Sequence, residues 1–330
     1  MPTLWWFTMK YHFASIETND NLYLLKKVKP LYILASYFYL KKLKPEQLEI
    51  FFNYINSKDC RHFILDSGAF TYIMGSKKQK EFILNNTEEY IKEYANFIRK
   101  YNIKNYIELD LDCIFGYEKI KKIRAELEKQ VGYKSMPVFH NLYRNKKDLD
   151  EMLENYKYIC ISNFNGKKTK KILPQIKAIV QYANQKGVKV HGLALTGKDF
   201  TSKVNFYSVD SSSWKSGIRF ASIPKYDEIN KKIVNSAISK VYKIKSDIET
   251  RNKLIEYSMK EWKKYQDLKT AKAIIEKYNL INNCSIYISP VFKKIKPVEI
   301  VSFMLKNNLN KVNLQLQIHK IIWDPNKKGV

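Results

Sequence analysis

Cysteine is scarce in this chain, and the few present do not gather. The four are Cys60, Cys113, Cys160 and Cys284, with no CxxC pair and no Cys/His spacing of a zinc site. That pattern argues against a thiolate metal centre and suits a reducing cytoplasm. Acidic residues are outnumbered, 32 Asp and Glu against 59 Lys and Arg, for a net charge of +27. Such an excess points to a polyanionic partner, because Lys and Arg displace counterions from phosphates. Lys, Asn, Ile and Tyr are all abundant, so AT-rich coding also feeds the excess. Long apolar runs are missing. None reaches the roughly 18 residues of a membrane span, and "MPTLWWFTMKYHF" is too polar for a signal-peptide core. The expectation is a cytoplasmic protein without a membrane partner. No Gly/Ser-rich or Pro-rich linker and no low-complexity run divides the chain.

What is there is a series of short β-rich runs: "LYILAS" (31–36), "HFILD" (62–66), "NYIELDLD" (105–112), "SMPVFH" (135–140), "KYICIS" (157–162), "VKVHGLAL" (188–195), "NFYSVD" (205–210) and "GIRFAS" (217–222). The gaps between most of them are helix-like. "NTEEYIKEYANFIRKY" has apolar residues at i, i+3, i+4 and i+7 behind Asn86/Thr87 as N-cap. Eight strands alternating with helices predict an α/β fold, a (β/α)8 TIM barrel over residues 1–225, with a doubly wound open sheet as the competitor. From Tyr226 the texture reads as a Lys-rich helical segment to about residue 265, with Ile229, Ile233, Ala237 and Val241 on one stripe. Residues 266–330 read as a small βαβ tail, strand "CSIYISPVF", a helix opened by Pro297, and strand "KVNLQLQIHKII".

In a parallel barrel, function sits at the carboxyl ends of the strands. Those ends read "LDSGAFT", "ELDLD", "PVFHN", "GLALTG" and "SVDSSSW", which place Asp66, Asp110, Asp112, His140 and Asp210 on one rim. A single carboxylate at a strand end is commonly a helix N-cap. Four on one face suit glycosyl transfer, or a cation held by hard oxygen ligands.

"LDSGAFT", "PVFH", "GLALTG" and "VDSSSW", in this order, resemble the tRNA-guanine transglycosylase superfamily over roughly residues 30–225. The likeness is nearest to phage members that place 7-deazaguanines in DNA. It implies a TIM barrel that exchanges guanine for a 7-deazaguanine such as preQ0, with no cofactor. By the same resemblance Asp210 is the nucleophile and Asp66 the proton-transfer acid. Ser67 and Gly68 lie beside the base, Asp110 or Asp112 holds the purine edge, and the backbone of Gly192 and Leu193 meets the base carbonyl. His140 stands where the family usually has glutamine. The family's CxCxxC…H zinc site is absent here, as is an appended RNA-binding domain. Both absences favour DNA as partner, with tRNA as the alternative, and a non-catalytic nucleic-acid-binding barrel as a third reading.

The tail, roughly residues 266–330, resembles the C-terminus of 7-carboxy-7-deazaguanine synthase, most specifically in "LQLQIHKIIWDP". The CxxxCxxC that holds that radical-SAM enzyme's [4Fe–4S] cluster is absent, so no radical chemistry is expected. Both resemblances point to 7-deazaguanine metabolism, in the host cytoplasm if the chain is phage-encoded.

Overall fold

The computed structural model describes residues 9–18, 21–140, 146–162, 169–215, 222–227, 232–237, 248–277, 279–290, 295–318 and 322. The chain divides into two units, Met9–Ser213 and Trp214–Val330.

In the first unit, seven strands pair in parallel. They are β1 (Lys10–Ala14), β2 (Tyr32–Ser36), β3 (His62–Asp66), β4 (Val138–His140), β5 (Tyr158–Ser162), β6 (Lys189–Leu193) and β7 (Ser208–Ser211), in the order β3-β2-β1-β7-β6-β5-β4. Every residue of β2, "YILAS", is buried, as expected of a parallel strand covered on both faces. The outer strands β3 and β4 are joined by residues 105–108. Ile107 N–H donates to Leu65 O (2.8 Å), Leu65 N–H to Asn105 O (2.9 Å) and Met136 N–H to Tyr106 O (2.7 Å). This segment is the missing stave. It closes the sheet into an eight-stave parallel barrel with the staves in chain order.

The stave that completes the count differs from the one expected. "GIRFAS" was the eighth run by sequence, yet "KYHFA" at Lys10–Ala14 fills the place between β7 and β2. His12 breaks the apolar pattern of that run, which hides it. Residues 217–221 lie outside the described residues, and Ser222 opens a strand of the second unit.

The short fourth stave is supported from outside. The helix Thr87–Lys100 buries Tyr90, Ile91, Tyr94, Ala95 and Ile98, an i, i+4, i+8 stripe. The Tyr94 hydroxyl sits between the carbonyls of Leu65 (3.2 Å) and Ile107 (3.1 Å). Asn86 is the residue before this helix, but its side chain donates to Phe82 O and does not cap the new helix.

Inside the barrel, alternation fixes what meets. Ala14, Leu34, Ile64, Ile107, Met136, Val138 and Cys160 form one apolar layer. His12 and His62 come from β1 and β3, which are not neighbours, yet Nε2 of one lies 2.9 Å from Nδ1 of the other. The His12 ring also meets His191 of β6, 5.6 Å between centroids. Burial holds both His12 and His62 below the usual histidine range, His62 at about 3, so they are neutral imidazoles inside the barrel.

The second unit holds an antiparallel hairpin, β8 (Ser222–Asp227) with β9 (Lys232–Ala237), then the helix Ile248–Lys277. The helical reading from Tyr226 is therefore corrected: Ile233 and Ala237 are on a strand, and Ile229 and Val241 lie outside the described residues. The β-branched run "KIV" favours the strand. Further on, β10 (Ile286–Ile288) and β11 (Val312–Leu314) run parallel around the helix Pro297–Lys306. Leu268, Ile275, Ile300, Phe303, Leu309 and Val312 form their core. Among the described residues no helix is long and apolar enough to cross a membrane.

Candidate active site

Asp210 is the third residue of β7, 8% exposed, and two residues beyond Ser208 on the same face. One of its oxygens is held twice. Oδ1 accepts the Ala194 N–H at 2.9 Å and lies 3.2 Å from His191 Nε2. The Ala194 N–H reaches it because Ala194 is in the left-handed region, φ 53°, just after β6 ends. Gly192 permits this bend: a Cβ there would stand 3.0 Å from the Phe206 ring and 3.2 Å from Leu195 Cβ. Leu193, the last residue of β6, is half-buried against the apolar layer.

Asp66 ends β3. Its Oδ2 accepts the Gly68 N–H at 2.9 Å. Burial pushes its carboxyl up to about 6, and the nearby Asp110 and Asp210 charges push the same way, against the Gly68 hydrogen bond and the polar Ser36 hydroxyl nearby. That mutual influence puts three rim carboxylates in one neighbourhood. Gly68 has φ 74°, and a Cβ on it would lie 2.5 Å from Phe38 Cβ, so only glycine fits. Ser67 is buried. Its hydroxyl accepts the Ala69 N–H (3.4 Å) and its carbonyl accepts from the Tyr90 hydroxyl (2.5 Å). Its side chain thus shapes the turn after β3.

Asp110, Asp112 and His140 form the other wall. His140 Nε2 is 2.6 Å from Asp110 Oδ1 and 3.2 Å from Asp112 Oδ1. Both carboxylates reach one imidazole because the chain turns at Leu109–Leu111, where Leu111 N–H donates to Leu109 O, and Asp112 begins a short helix. The three offer one ligand atom each within 4.8 Å, a set that could hold a metal ion. Two donors on one ion at about 2.1 Å stand roughly 3 Å or more apart. The 2.6 Å separation is that of a hydrogen bond. The His140 ring is thus hydrogen-bonded to Asp110, and Asp112 Oδ1 stands near the same nitrogen without sharing that bond.

Sequence reasoning did not single out His191, Ser208, Tyr158 or Ala194. His191 Nδ1 lies 2.5 Å from Ser208 Oγ, and Tyr158 OH lies 2.5 Å from the same oxygen. The signal for two of them was present: Ser208 and Asp210, and His191 and Leu193, share inward faces by period two.

A closed parallel barrel with acids and imidazoles gathered at the carboxyl ends of its strands is the architecture of α/β-barrel enzymes. No family model matches the chain. It is 37% identical to the 7-carboxy-7-deazaguanine synthase of Clostridium acetobutylicum over 183 residues, 50% of this chain and 80% of that protein. It is 40% identical to the 7-carboxy-7-deazaguanine synthase of Chlorobaculum tepidum over 60 residues, 18% of this chain and 27% of that one. Through the matched half of its length, the chain belongs to the 7-carboxy-7-deazaguanine synthase family. A match over half the chain reaches well beyond the 266–330 tail that carried the resemblance by sequence. Among solved structures, the tryptophan synthase α-subunit of Pyrococcus furiosus is similar at 12% identity with a TM-score of 0.41, covering 76% of this chain and 97% of that one. A structure from Coccidioides immitis described as a fructose-1,6-biphosphate aldolase is similar at 10% identity with a TM-score of 0.49, covering 81% of this chain and 92% of that one.

The iron–sulfur cluster that this family relationship implies does not fit the thiols of this chain. Cys160 is fully buried on β5 and burial pushes its thiol up, Cys60 is raised to about 11 by burial, and Cys284 is exposed in the second unit. A cluster needs several converging thiolates, and no such set exists among the described residues.

Proposed function

We propose that this protein replaces guanine in DNA with a 7-deazaguanine through a covalent glycosyl-enzyme on Asp210. The observation that carries this is the Asp210 carboxylate. It sits at the carboxyl end of β7, its Oδ1 fixed by a backbone N–H, in the same neighbourhood as a second carboxyl, Asp66, whose pKa of about 6 suits proton exchange near neutrality. The target nucleotide is flipped into the barrel mouth. Asp210 Oδ2 attacks C1′, the C1′–N9 bond breaks with its electron pair going to guanine, and Asp66 supplies a proton to the departing base. A 7-deazaguanine then enters and gives its N9 proton to Asp66. Its nitrogen takes C1′ back and Asp210 leaves as a carboxylate. Asp110, Asp112 and His140 offer acceptors and a donor for the purine edge, and the backbone around Gly192 and Leu193 lies beside the base carbonyl.

The family relationship supports 7-deazaguanine as the incoming base, and the +27 charge supports a nucleic acid as the other substrate. The test is incubation of purified protein with labelled guanine and, separately, preQ0, on single-stranded DNA, duplex DNA and tRNA, read by mass spectrometry of the nucleosides. Exchange into DNA supports the reading. Exchange into tRNA alone transfers the activity to the other polymer. No exchange on any of them removes it.

A further inference from the structure

We propose that His191 is a positioning residue that fixes which oxygen of Asp210 attacks, through a directed chain of hydrogen bonds crossing the barrel from Tyr158. The inference rests on the base-exchange reading for its catalytic consequence, and on geometry alone for the chain itself. Tyr158 is on β5 and Ser208 on β7, with β6 between them, so their 2.5 Å contact is made inside the barrel. Ser208 Oγ is 2.5 Å from His191 Nδ1, and His191 Nε2 is 3.2 Å from Asp210 Oδ1.

The direction of these bonds follows from what each atom offers. A carboxylate oxygen only accepts, so the contact to Asp210 needs the imidazole proton on Nε2. In the neutral ring Nδ1 then has a lone pair, and Ser208 donates its hydroxyl proton there. The Ser208 oxygen in turn accepts from the Tyr158 phenol, which burial keeps protonated. Each group donates once in the same sense, so the chain specifies one tautomer. His191 and Ser208 are both fully buried, so water does not compete for these positions.

The consequence falls on Asp210. His191 and the Ala194 N–H both engage Oδ1, and among the described residues no hydrogen bond reaches Oδ2. A carboxylate held by one oxygen from two directions presents the other with fixed aim. Misalignment of a reacting atom by about 1 Å can cost about 100-fold in rate. His191 meets Asp210 at Oδ1 and not at the attacking Oδ2. Its effect is on orientation.

The test compares wild type with His191→Gln, which keeps an N–H donor near the Nε2 position, His191→Leu, which keeps volume without the donor, and Tyr158→Phe, which removes the head of the chain. Folding is read by melting temperature, substrate binding by KM, and chemistry by single-turnover trapping of the covalent adduct. His191→Leu is expected to lower the adduct-formation rate about 10- to 100-fold with KM for DNA unchanged. His191→Gln is expected to recover most of that loss. Equal adduct rates in wild type and His191→Leu, with wild type active, overturn the proposal and leave base exchange standing. A second measurement needs no activity. The 15N spectrum of ring-labelled histidine, with the His191 signals assigned by their loss in His191→Gln, is expected to show the proton on Nε2 in wild type and a mixture of tautomers in Tyr158→Phe. A proton on Nδ1 in wild type overturns the chain whatever the enzyme does.

Discussion

In the proposed base exchange, Asp66 is the residue at which catalysis and stability pull apart. Its carboxyl is raised from 3.8 to about 6, first by burial. The folded state therefore binds this proton more tightly than the unfolded chain. Stability from the protonated form is fully present below about pH 3.8 and is lost as pH rises toward 6. At 1.36 kcal/mol per unit, the loss amounts to about 3 kcal/mol by neutral pH. Asp66→Asn keeps an acceptor for the Gly68 N–H and carries no charge to bury. It is expected to melt above wild type at about pH 7.5, with the gap shrinking steadily toward about pH 4, while base exchange falls sharply for want of a proton carrier. A gap independent of pH sinks this account of Asp66. Asp210→Asn separates differently. The amide nearly matches the carboxylate in shape but is a poor nucleophile, so exchange should drop by about a thousandfold or more with melting temperature and DNA binding little changed. Wild-type exchange in that variant takes Asp210 out of the mechanism.

At the scale of elements, the turn after β3 is the tightest fitting near the site. Gly68 combines φ 74° with Phe38 Cβ, Ser36 Oγ and Phe38 N all within 2.8 Å of where a Cβ would stand. Gly132 is also left-handed, φ 95° and ψ 0°, with nothing within 4 Å of where a Cβ would stand. Gly132→Ala is therefore expected to cost only left-handed strain, about 1–2 kcal/mol, and Gly68→Ala that plus overpacking, about 2–5 kcal/mol in all. Urea midpoints at constant slope measure both. Equal shifts remove the steric argument. The same turn shows what the sequence could disclose. "LDSGAF" carries its aspartate and its glycine in plain view, and most of the barrel's β-rich runs stand out because both faces of a parallel strand are apolar. Two other features were hidden for physical reasons. β1 carries a buried imidazole that only pairs once His62 arrives from another strand. The hairpin at Ser222–Asp227 and Lys232–Ala237 has apolar spacing that a helix also satisfies, so pattern alone chose wrongly. Likewise His191 looked like one more residue of "VKVHGLAL" until closure of the barrel set it between Ser208 and Asp210.

Over the whole molecule, the proposed exchange on DNA makes charge and the barrel mouth the features that would hold a polymer. The helices that follow β2 and β3, Tyr37–Leu40 and Ala69–Ile73, leave Tyr39, Phe70 and the adjoining Met74 exposed at 37%, 39% and 65%. Lys42 stands 3.4 Å over the Phe38 ring beside them. Exposed rings next to amines suit single strands, where bases stack and phosphates pair. With a net charge of +27, binding should be dominated by ion pairs to phosphate. Neutralising six or more phosphates makes affinity fall about a thousandfold between 50 and 200 mM salt. Exposed Lys42, Lys44, Lys77 and Lys78 lie on or beside the helices and loops that follow β2 and β3. Changing all four to Gln should weaken single-strand binding and flatten the plot of log affinity against log salt by about 0.7 for each phosphate no longer neutralised. The base exchanged should not change, because no base-edge group is touched. Single-stranded or mismatched DNA should react at least as fast as duplex, since the target base leaves its stack at less cost. A slope unmoved by the four changes means that the phosphates are held elsewhere on the chain. Duplex reacting much faster than single strands means that the mouth reads a paired partner, which an aromatic and lysine lip alone does not provide.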